Sequence, residues 1–246
     1  MKISVVTVCY NAVQTLEKTM LSVLNQTYPD VEYIIIDGGS TDGTVDIIKK
    51  YADRLAYWVS EPDKGIYDAM NKGIKVATGE WINFMNSGDV FADKDVIKRV
   101  FVEKEINDYA CIFGNTFFSF HNSGKIVKYG DSTLHKIMPS CHQSIFTKRQ
   151  LLLVYPFDLN YKIAADFDFF YKLWKLGLRY RYVNTIVAIY DATDGISGRN
   201  MKQTRKEILQ ISNPTVIYVI KYAFVLLKLK IKNGLIYNFS RKWTQK

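Results

Sequence analysis

The sequence predicts an α/β protein whose core is a mostly parallel sheet with helices on both faces. Through the first half of the chain, apolar strand-like runs alternate with segments patterned as helices. The 246 residues are 48% hydrophobic, which is enough to bury a full core. Because no repeat or low-complexity linker interrupts the first 198 residues, we expect one domain over residues 1–198, followed by a basic tail over 199–246.

Each predicted element follows from its local pattern. Strands are expected where short apolar runs lie between turn signals, at residues 3–9, 33–37, 56–60 and 80–85. Helices are expected in the intervening segments, near residues 13–25, 45–51 and 66–76. Beyond residue 90 the sequence predicts a helix near 94–104, a hairpin of strands 110–120 and 125–129 with its turn at 122–124, a helix over 164–176 and a strand over 179–190.

The positive charge of the chain is confined to its C-terminal tail. The formal charge is +9, but residues 199–246 contain 11 Lys and Arg against one acid, Glu207, so the body is close to neutral. The tail also lacks interleaved polar residues that read bases. We therefore expect no nucleic-acid partner.

A membrane surface is the expected partner of the tail. The apolar run 216–227 is too short to span a bilayer. Lys221, Lys228 and Lys232 fall on one face of a helix, which is typical of a basic amphipathic helix lying on anionic lipid. The alternative is a helix packed on the body or on a second copy in a homodimer.

The cysteines and the N-terminus predict a cytoplasmic protein. Cys9, Cys111 and Cys141 are odd in number and widely spaced, so neither a disulfide framework nor a zinc site is indicated. Met1 leads directly into the first predicted strand, which leaves no room for a secretory signal. We expect the body to lie in the cytoplasm, on the inner face of the cell membrane.

The most informative segment is residues 31–44, where an apolar strand ends in Asp37 and a loop of glycines and small hydroxyl residues follows. Ligands of parallel α/β sheets bind at the carboxyl ends of the strands. A carboxylate there can accept hydrogen bonds from a ribose or a base, and glycines let the backbone approach the ligand. The segment therefore predicts a nucleotide site, the alternative being that Asp37 and Asp42 only shape the loop or cap the next helix.

A divalent cation is predicted at the same edge. Asn86-Ser87-Gly88-Asp89 follows the fourth strand and supplies a carboxylate among small polar groups. Mg²⁺ and Mn²⁺ take such oxygen ligands together with substrate phosphates. The alternative is that Asp89 caps the following helix.

The helix predicted at 66–76 begins beside this edge. Asp68 and Asn71 are three residues apart and share a helical face. Asp63 and Lys64 precede the helix N-terminus, which favours phosphate or sugar oxygens. The alternative is a solvated amphipathic helix.

Two further pairs are candidates for chemistry. Asp166 and Asp168 lie among aromatic residues at a predicted helix start, where an apolar environment would raise a carboxyl pKa and suit a general base. His142 and Gln143 precede an apolar run, and the histidine is a candidate for a metal, a diphosphate or an acceptor oxygen. The alternatives are helix-capping aspartates and a histidine in a structural role.

Taken together, these motifs resemble the family 2 glycosyltransferases of the GT-A fold, in the branch that builds bacterial surface polysaccharides. The matching segments cover roughly residues 1–190 in the family's order, at 7–11, 36–44, 63–73, 85–89 and 165–166. The resemblance implies a GT-A domain with a nucleotide-sugar-binding half over 1–90 and an acceptor-side half over 91–198.

The resemblance also implies roles for particular residues. Thr7, Tyr10, Asn11 and Asp37 would hold the nucleoside, and Asp89 would meet the metal-bridged diphosphate. The wider donor set comprises Asp42, Asp63, Lys64, Asp68, Asn71, Asn86 and Ser87, with His142, Gln143 and Asp168 toward the diphosphate or acceptor. Asp166 would be the general base of an inverting transfer.

The expected substrates follow from the same resemblance. The donor is a nucleotide-diphosphate sugar, most simply a UDP-sugar, and the acceptor a polyprenyl-linked saccharide. Asn86 departs from the family pattern, since many relatives have Asp there, and this bears on metal binding. Neither the transmembrane helices nor the Gln-x-x-Arg-Trp motif of processive members is seen, which favours transfer of one sugar per encounter.

Two other functions compete. A sugar nucleotidyltransferase would carry a glycine-rich basic run near its N-terminus, and residues 7–11 contain none. A non-catalytic nucleotide-sugar-binding protein would have lost its acidic residues, whereas Asp37, Asp89 and Asp166 are all present.

Overall fold

The computed structural model describes residues 1–102, 106, 108–120, 123–129, 138, 140–192 and 200–212. Met1–Glu207 form one compact unit, and a second unit begins at Ile208. The tail segment predicted to lie on a membrane falls mostly outside the described residues. Within them, no helix is long and apolar enough to cross a membrane.

The first half of the chain forms the parallel part of the sheet, with strand order β3-β2-β1-β4. The central strand β1 is buried along its whole length, as expected of a parallel strand covered on both faces. The strands are β1 Ile3–Cys9, β2 Val31–Asp37, β3 Tyr57–Ser60 and β4 Trp81–Phe84. The helices between them are α1 Leu16–Leu24, α2 Thr44–Lys50 and α3 Ile66–Val76. The predicted alternation of strands and helices is confirmed here.

The second half extends the sheet with mixed pairing. Strand β8 runs antiparallel to β4, and the order continues β8-β6-β9-β5, with β7 also paired to β6. These strands are β5 Val90–Phe91, β6 Cys111–Phe120, β7 Ser123–Val127, β8 Ile145–Lys148 and β9 Tyr180–Asp191. The helices are α4 Val96–Val100, α5 Arg149–Val154, α6 Ala165–Lys175 and α7 Met201–Ser212. Parallel pairing thus dominates only the first half.

Some element boundaries differ from the sequence predictions. The first helix begins at Leu16 rather than near residue 13, because the preceding residues form a loop bonded to residues 40–44. The predicted pairing of strands 110–120 and 125–129 is confirmed, but β7 already begins at Ser123. Strands β5 and β8 and helix α5 are too short to give a periodic sequence signal.

Strand register brings the predicted site residues to one edge. Cys9 at the end of β1 pairs with Asp37 at the end of β2. The loops after β3 and β4 are tied to the same edge, since Glu61 N–H donates to the Asp37 carbonyl and Ser87 N–H donates to the Val8 carbonyl. The carboxyl ends of all four parallel strands therefore border one region.

Candidate active site

The carboxylate of Asp37 organises the loop that follows β2. Its side chain is fully buried and accepts hydrogen bonds from the N–H groups of Gly39 (3.1 Å) and Ser40 (2.9 Å) and from the hydroxyls of Ser40 and Ser60. Burial by itself would raise the pKa of Asp37, but the bonds from Ser40 and Ser60 outweigh it and hold the pKa below its usual value. Asp37 is thus an ionised anchor inside the loop that borders the site.

Asn11 and Asp42 fasten this loop to the end of β1. Asn11 has a left-handed backbone (φ 45°), and its side-chain oxygen accepts the N–H of Thr41 at 3.0 Å. Asp42 accepts the N–H groups of Val13 (3.1 Å) and Thr44 (3.0 Å), which joins the loop after β1 to the start of α2. Both side chains therefore hold the loop after β1 against the loop after β2. For Asp42, these contacts are the ones expected if its carboxylate only shapes the loop.

An open surface lies next to these loops. The ring of Tyr10 is 65% exposed. Gly38 leaves space between Tyr10 and Asp63, because a Cβ atom on Gly38 would lie 2.6 Å from Asp63 Oδ2 and 3.4 Å from the Tyr10 ring. The exposed Tyr10 ring and the Asp63 carboxylate are groups that suit a nucleoside. Thr7, by contrast, is fully buried and hydrogen-bonds to Tyr33 and Met85.

The start of α3 borders the same region. Asp68 accepts the backbone N–H of Lys64 at 3.0 Å, and the Lys64 residue is exposed. Asn71, one turn further along, forms two hydrogen bonds to the backbone of Phe157, at 2.8 and 2.9 Å. Asn71 therefore attaches α3 to the second half of the chain, while Lys64 and Asp68 remain at the helix N-terminus.

A row of polar side chains connects the predicted base to the loop after β4. Asp166 Oδ2 lies 3.2 Å from His142 Nδ1, and His142 Nε2 lies 2.9 Å from Asn86 Nδ2. The Asn86 amide nitrogen Nδ2 can only donate, so His142 Nε2 accepts and we assign the histidine proton to Nδ1, where it faces the carboxylate. On its other side, Asp166 Oδ1 lies 2.9 Å from the Tyr67 hydroxyl, whose single proton is shared between this carboxylate and the carbonyl of Ile163. Three residues singled out separately from the sequence thus form one row.

Tyr67 is a member of this row that the sequence analysis did not single out. It is buried with Met70 and Ile74 on one face of α3, so its spacing resembles that of an ordinary core residue. Burial and the nearby charge of Asp166 raise the pKa of Tyr67 well above its usual value, so the hydroxyl keeps its proton. That hydroxyl also lies 2.7 Å from the carbonyl of Ile163.

Asp89 is the last residue of the loop that joins β4 to β5. It is 5% exposed, and its two oxygens accept the backbone N–H of Asp191 (3.0 Å) and the side-chain amide of Gln143 (2.7 Å). Burial raises the pKa of Asp89 to about 6. Asp89 therefore joins the loop after β4 to the end of β9, and Gln143 is engaged with it rather than with the His142–Asp166 pair.

The donor atoms needed for a cation are present in part. No cluster of three or more His, Cys, Asp or Glu side chains that could hold a metal occurs among the described residues. The side-chain oxygen of Asn86 is buried without a hydrogen-bond partner, which makes it a fitting oxygen ligand. Two other predicted site residues have partners elsewhere in the fold: the Ser87 hydroxyl hydrogen-bonds to the Thr15 hydroxyl at 3.0 Å, and the Asp168 carboxylate forms an ion pair with Lys172 at 2.6 Å. The Asn86 oxygen and the Asp89 carboxylate are therefore the candidate oxygen ligands in this loop.

The parallel half-sheet, its loop edge and the carboxylate beside it define an α/β fold of the nucleotide-sugar transferase class. The family model Glycosyl transferase family 2 matches residues 4–163. The chain belongs to this family, as the motifs predicted.

Relatives agree with this assignment. The chain is 33% identical over 207 residues to a PGL/p-HBAD biosynthesis glycosyltransferase of Mycobacterium bovis, covering 79% of this chain and 78% of the relative. It is 28% identical over 195 residues to a chondroitin synthase of Escherichia coli, covering 75% of this chain but only 28% of that protein. Glycosyltransferase activity is therefore supported for the chain.

Solved structures confirm the predicted GT-A fold. Residues 1–349 of S. aureus TarS in complex with UDP-GlcNAc give a TM-score of 0.67 at 19% identity, covering 81% of this chain and 61% of that one. The mannosyltransferase PcManGT from Pyrobaculum calidifontis, in complex with GDP-Man and Mn²⁺, gives 0.67 at 17% identity, covering 85% of this chain and 62% of that one. The chain thus spans about three fifths of each of these structures.

The anchoring role of Asp37 predicts a pH-dependent contribution to stability. Since its pKa is lowered on folding, the stability that it adds is present at neutral pH and is lost as the pH falls below about 4. Replacing Asp37→Asn should cost about 1–3 kcal/mol at pH 7, because a buried acceptor becomes an amide that cannot accept all its bonds. The measurement is the free energy of unfolding in urea for the wild type and for Asp37→Asn, at pH 7 and at pH 3. The same difference in stability between the two proteins at both pH values would contradict the prediction.

Proposed function

We propose that this protein moves one sugar from a nucleotide-diphosphate sugar, a UDP-sugar by preference, to a hydroxyl of a lipid-linked saccharide. The transfer is an inverting single displacement. The observation that carries the proposal is the Asp166 carboxylate, whose two oxygens are contacted by His142 and Tyr67. The pathway is the assembly of cell-surface polysaccharide.

In this mechanism Asp166 takes the proton of the acceptor hydroxyl as that oxygen attacks the anomeric carbon. The Tyr67 hydroxyl and the His142 Nδ1–H fix the two oxygens of the carboxylate, so its orientation is set before substrate arrives. A positioned base of this kind contributes roughly 10²–10⁴-fold to rate. Attack opposite the departing nucleotide inverts the anomeric centre.

The nucleoside would bind on the surface formed by the exposed Tyr10 ring and Asp63, which lie close together on either side of the buried Gly38. Stacking on the exposed Tyr10 ring and hydrogen bonds to the Asp63 carboxylate are the interactions that this surface offers. Lys64 and the N-terminus of α3 would attract the diphosphate. In this proposal Asn11, Asp37, Asp42, Thr7 and Asn71 contribute by holding the loops and helix that form the surface, and UDP is favoured because TarS was solved with UDP-GlcNAc.

A divalent cation, Mn²⁺ or Mg²⁺, would be held by the Asn86 side-chain oxygen and Asp89 together with diphosphate oxygens. A bound cation offsets the negative charge that grows on the departing nucleoside diphosphate. Support comes from the unpartnered buried oxygen of Asn86 and from the Mn²⁺ in the complex of the mannosyltransferase.

The acceptor and location rest on the sequence of the tail. A basic, partly apolar segment would hold the protein on the inner face of the cell membrane, where a polyprenyl-linked saccharide is presented. Contact with a second copy is the competing use of the same segment.

The base assignment predicts a large and selective loss in Asp166→Asn. Turnover should fall by roughly 10²-fold or more, while affinity for UDP is kept, because the amide retains the shape but cannot take a proton. The measurement is release of UDP from UDP-Glc, UDP-Gal and UDP-GlcNAc in the presence of a lipid extract that supplies acceptor, with UDP affinity by calorimetry. Asp53→Asn, an exposed aspartate remote from the edge, is the matched control. Unchanged turnover in Asp166→Asn would refute the assignment.

Nucleotide and cation preferences can be read by calorimetry. UDP should bind more tightly than GDP or dTDP, and Mn²⁺ should strengthen binding in the wild type. In Asn86→Ala and in Asp89→Ala, Mn²⁺ should no longer strengthen the binding of UDP. Tyr10→Ala should weaken the binding of UDP both with and without Mn²⁺. Metal-dependent binding that survives in both loop variants would place the cation elsewhere.

The membrane role predicts charge-dependent binding to lipid. The full chain should float with vesicles containing phosphatidylglycerol and not with pure phosphatidylcholine. Changing Lys221, Lys228, Lys230 and Lys232 to Gln should abolish flotation, while changing the exposed body lysines Lys18, Lys49 and Lys98 should not. If the tail-lysine variant and the body-lysine variant floated equally well, the proposal that the tail binds the membrane would be contradicted.

A further inference from the structure

Glu207 is a buried acid outside the site described above. It is the single acidic residue in the basic segment 199–246, yet it is only 2% exposed. Glutamates are almost never fully buried unless they are paired. The contacts of this carboxylate therefore require an explanation.

The partners of Glu207 are three consecutive backbone N–H groups. Its oxygens accept from Lys162 (3.0 Å), Ile163 (2.9 Å) and Ala164 (2.9 Å), and Gln203 donates its side-chain amide at 2.8 Å. Burial alone would raise the pKa of Glu207, but these hydrogen bonds outweigh it and lower the pKa. An ionised carboxylate from α7 thus holds the segment that leads into α6.

This segment has no cap of its own. The residue preceding α6 is Ala164, whose side chain cannot accept a hydrogen bond, and no side-chain cap is formed there. Helix starts leave backbone N–H groups without partners, and a carboxylate near them is favourable. The N–H groups that Glu207 binds, those of residues 162–164, precede the first turn of α6, so the carboxylate fixes the chain that leads into the helix through charge-assisted bonds from a distant part of the sequence.

The held segment is directly connected to Asp166. The peptide unit of Ile163 is bound on both sides, since its N–H donates to Glu207 and its carbonyl lies 2.7 Å from the Tyr67 hydroxyl. The same Tyr67 hydroxyl contacts Asp166, the second residue of α6. Movement of residues 162–164 would therefore displace both Asp166 and the tyrosine that orients it.

We propose that Glu207 is a positioning residue for Asp166: by holding the N–H groups of residues 162–164, it sets where the base stands relative to Tyr67 and His142. The inference rests on the proposed function, in which Asp166 is the general base. Displacement of a reacting group by about 1 Å can cost on the order of 10²-fold in rate.

The chain offers a closely matched control in Glu32. Its carboxylate also accepts backbone N–H groups, from Thr78 (2.7 Å) and Gly79 (3.3 Å). It lies near the amino end of β2, whereas the candidate site lies at the carboxyl end. Glu32→Gln therefore makes the same chemical change, with a comparable loss of backbone hydrogen bonding, away from the site.

The experiment compares Glu207→Gln with Glu32→Gln in the full-length chain. We expect both to lower the unfolding temperature, but only Glu207→Gln to lower kcat, by about 10-fold or more, with UDP affinity by calorimetry unchanged. Equal kcat values for the two variants would overturn the inference. If Glu207→Gln does not fold, Gln203→Leu removes one partner of the carboxylate, and a kcat equal to that of the wild type would count against it.

A double variant separates positioning from general destabilisation. Because Glu207 acts through Asp166, Glu207→Gln should cause no further loss of turnover in an Asp166→Asn background. An additive loss would overturn the positioning role. If Asp166→Asn itself leaves turnover unchanged, the proposed function fails; if it abolishes turnover while Glu207→Gln behaves like Glu32→Gln, only the present inference fails.

Discussion

The burial of the Asp37 carboxylate at the end of β2 is the constraint on which the nucleotide edge depends. A buried charge is costly unless hydrogen bonds compensate for it. The donors come from Gly39 and Ser40 in the following loop and from Ser60 at the end of β3, so satisfying one side chain also fixes the positions of two loops. The exposed Tyr10 ring and Asp63 lie beside these loops, on either side of Gly38.

A second polar network joins the two halves of the sheet. Asn86 comes from the parallel half, His142 from the loop before β8, and Tyr67 and Asp166 from α3 and α6. Hydrogen bonds of this kind are strong in a low-dielectric setting and costly when broken, so the network demands that both halves pack in one arrangement. The orientation of Asp166 and the packing of the two halves therefore depend on the same contacts.

Local sequence patterns predicted the first half of the fold because apolar strand-like runs and helix-patterned segments alternate there in chain order. The second half was predicted only in part. The antiparallel pairing of β4 with β8 depends on contacts between residues distant in sequence, and β5 has only two residues. The start of α1 at Leu16 was also not predicted, because the loop before it is held by hydrogen bonds to residues 40–44 rather than to its neighbours in sequence.

By itself, the sequence determined the family, the ligand edge and Asp166 as the candidate base, because motif residues keep their spacing along the chain. Tertiary structure alone decided which predicted polar residues are engaged with other elements of the fold, such as Thr7 and Asn71, and which ones lie together. Tyr67 and Asp166 are 99 residues apart, and Glu207 lies 43 residues beyond Ala164. No local pattern reports such pairs, since hydrogen bonds between distant segments form only when the packed elements bring them within about 3 Å.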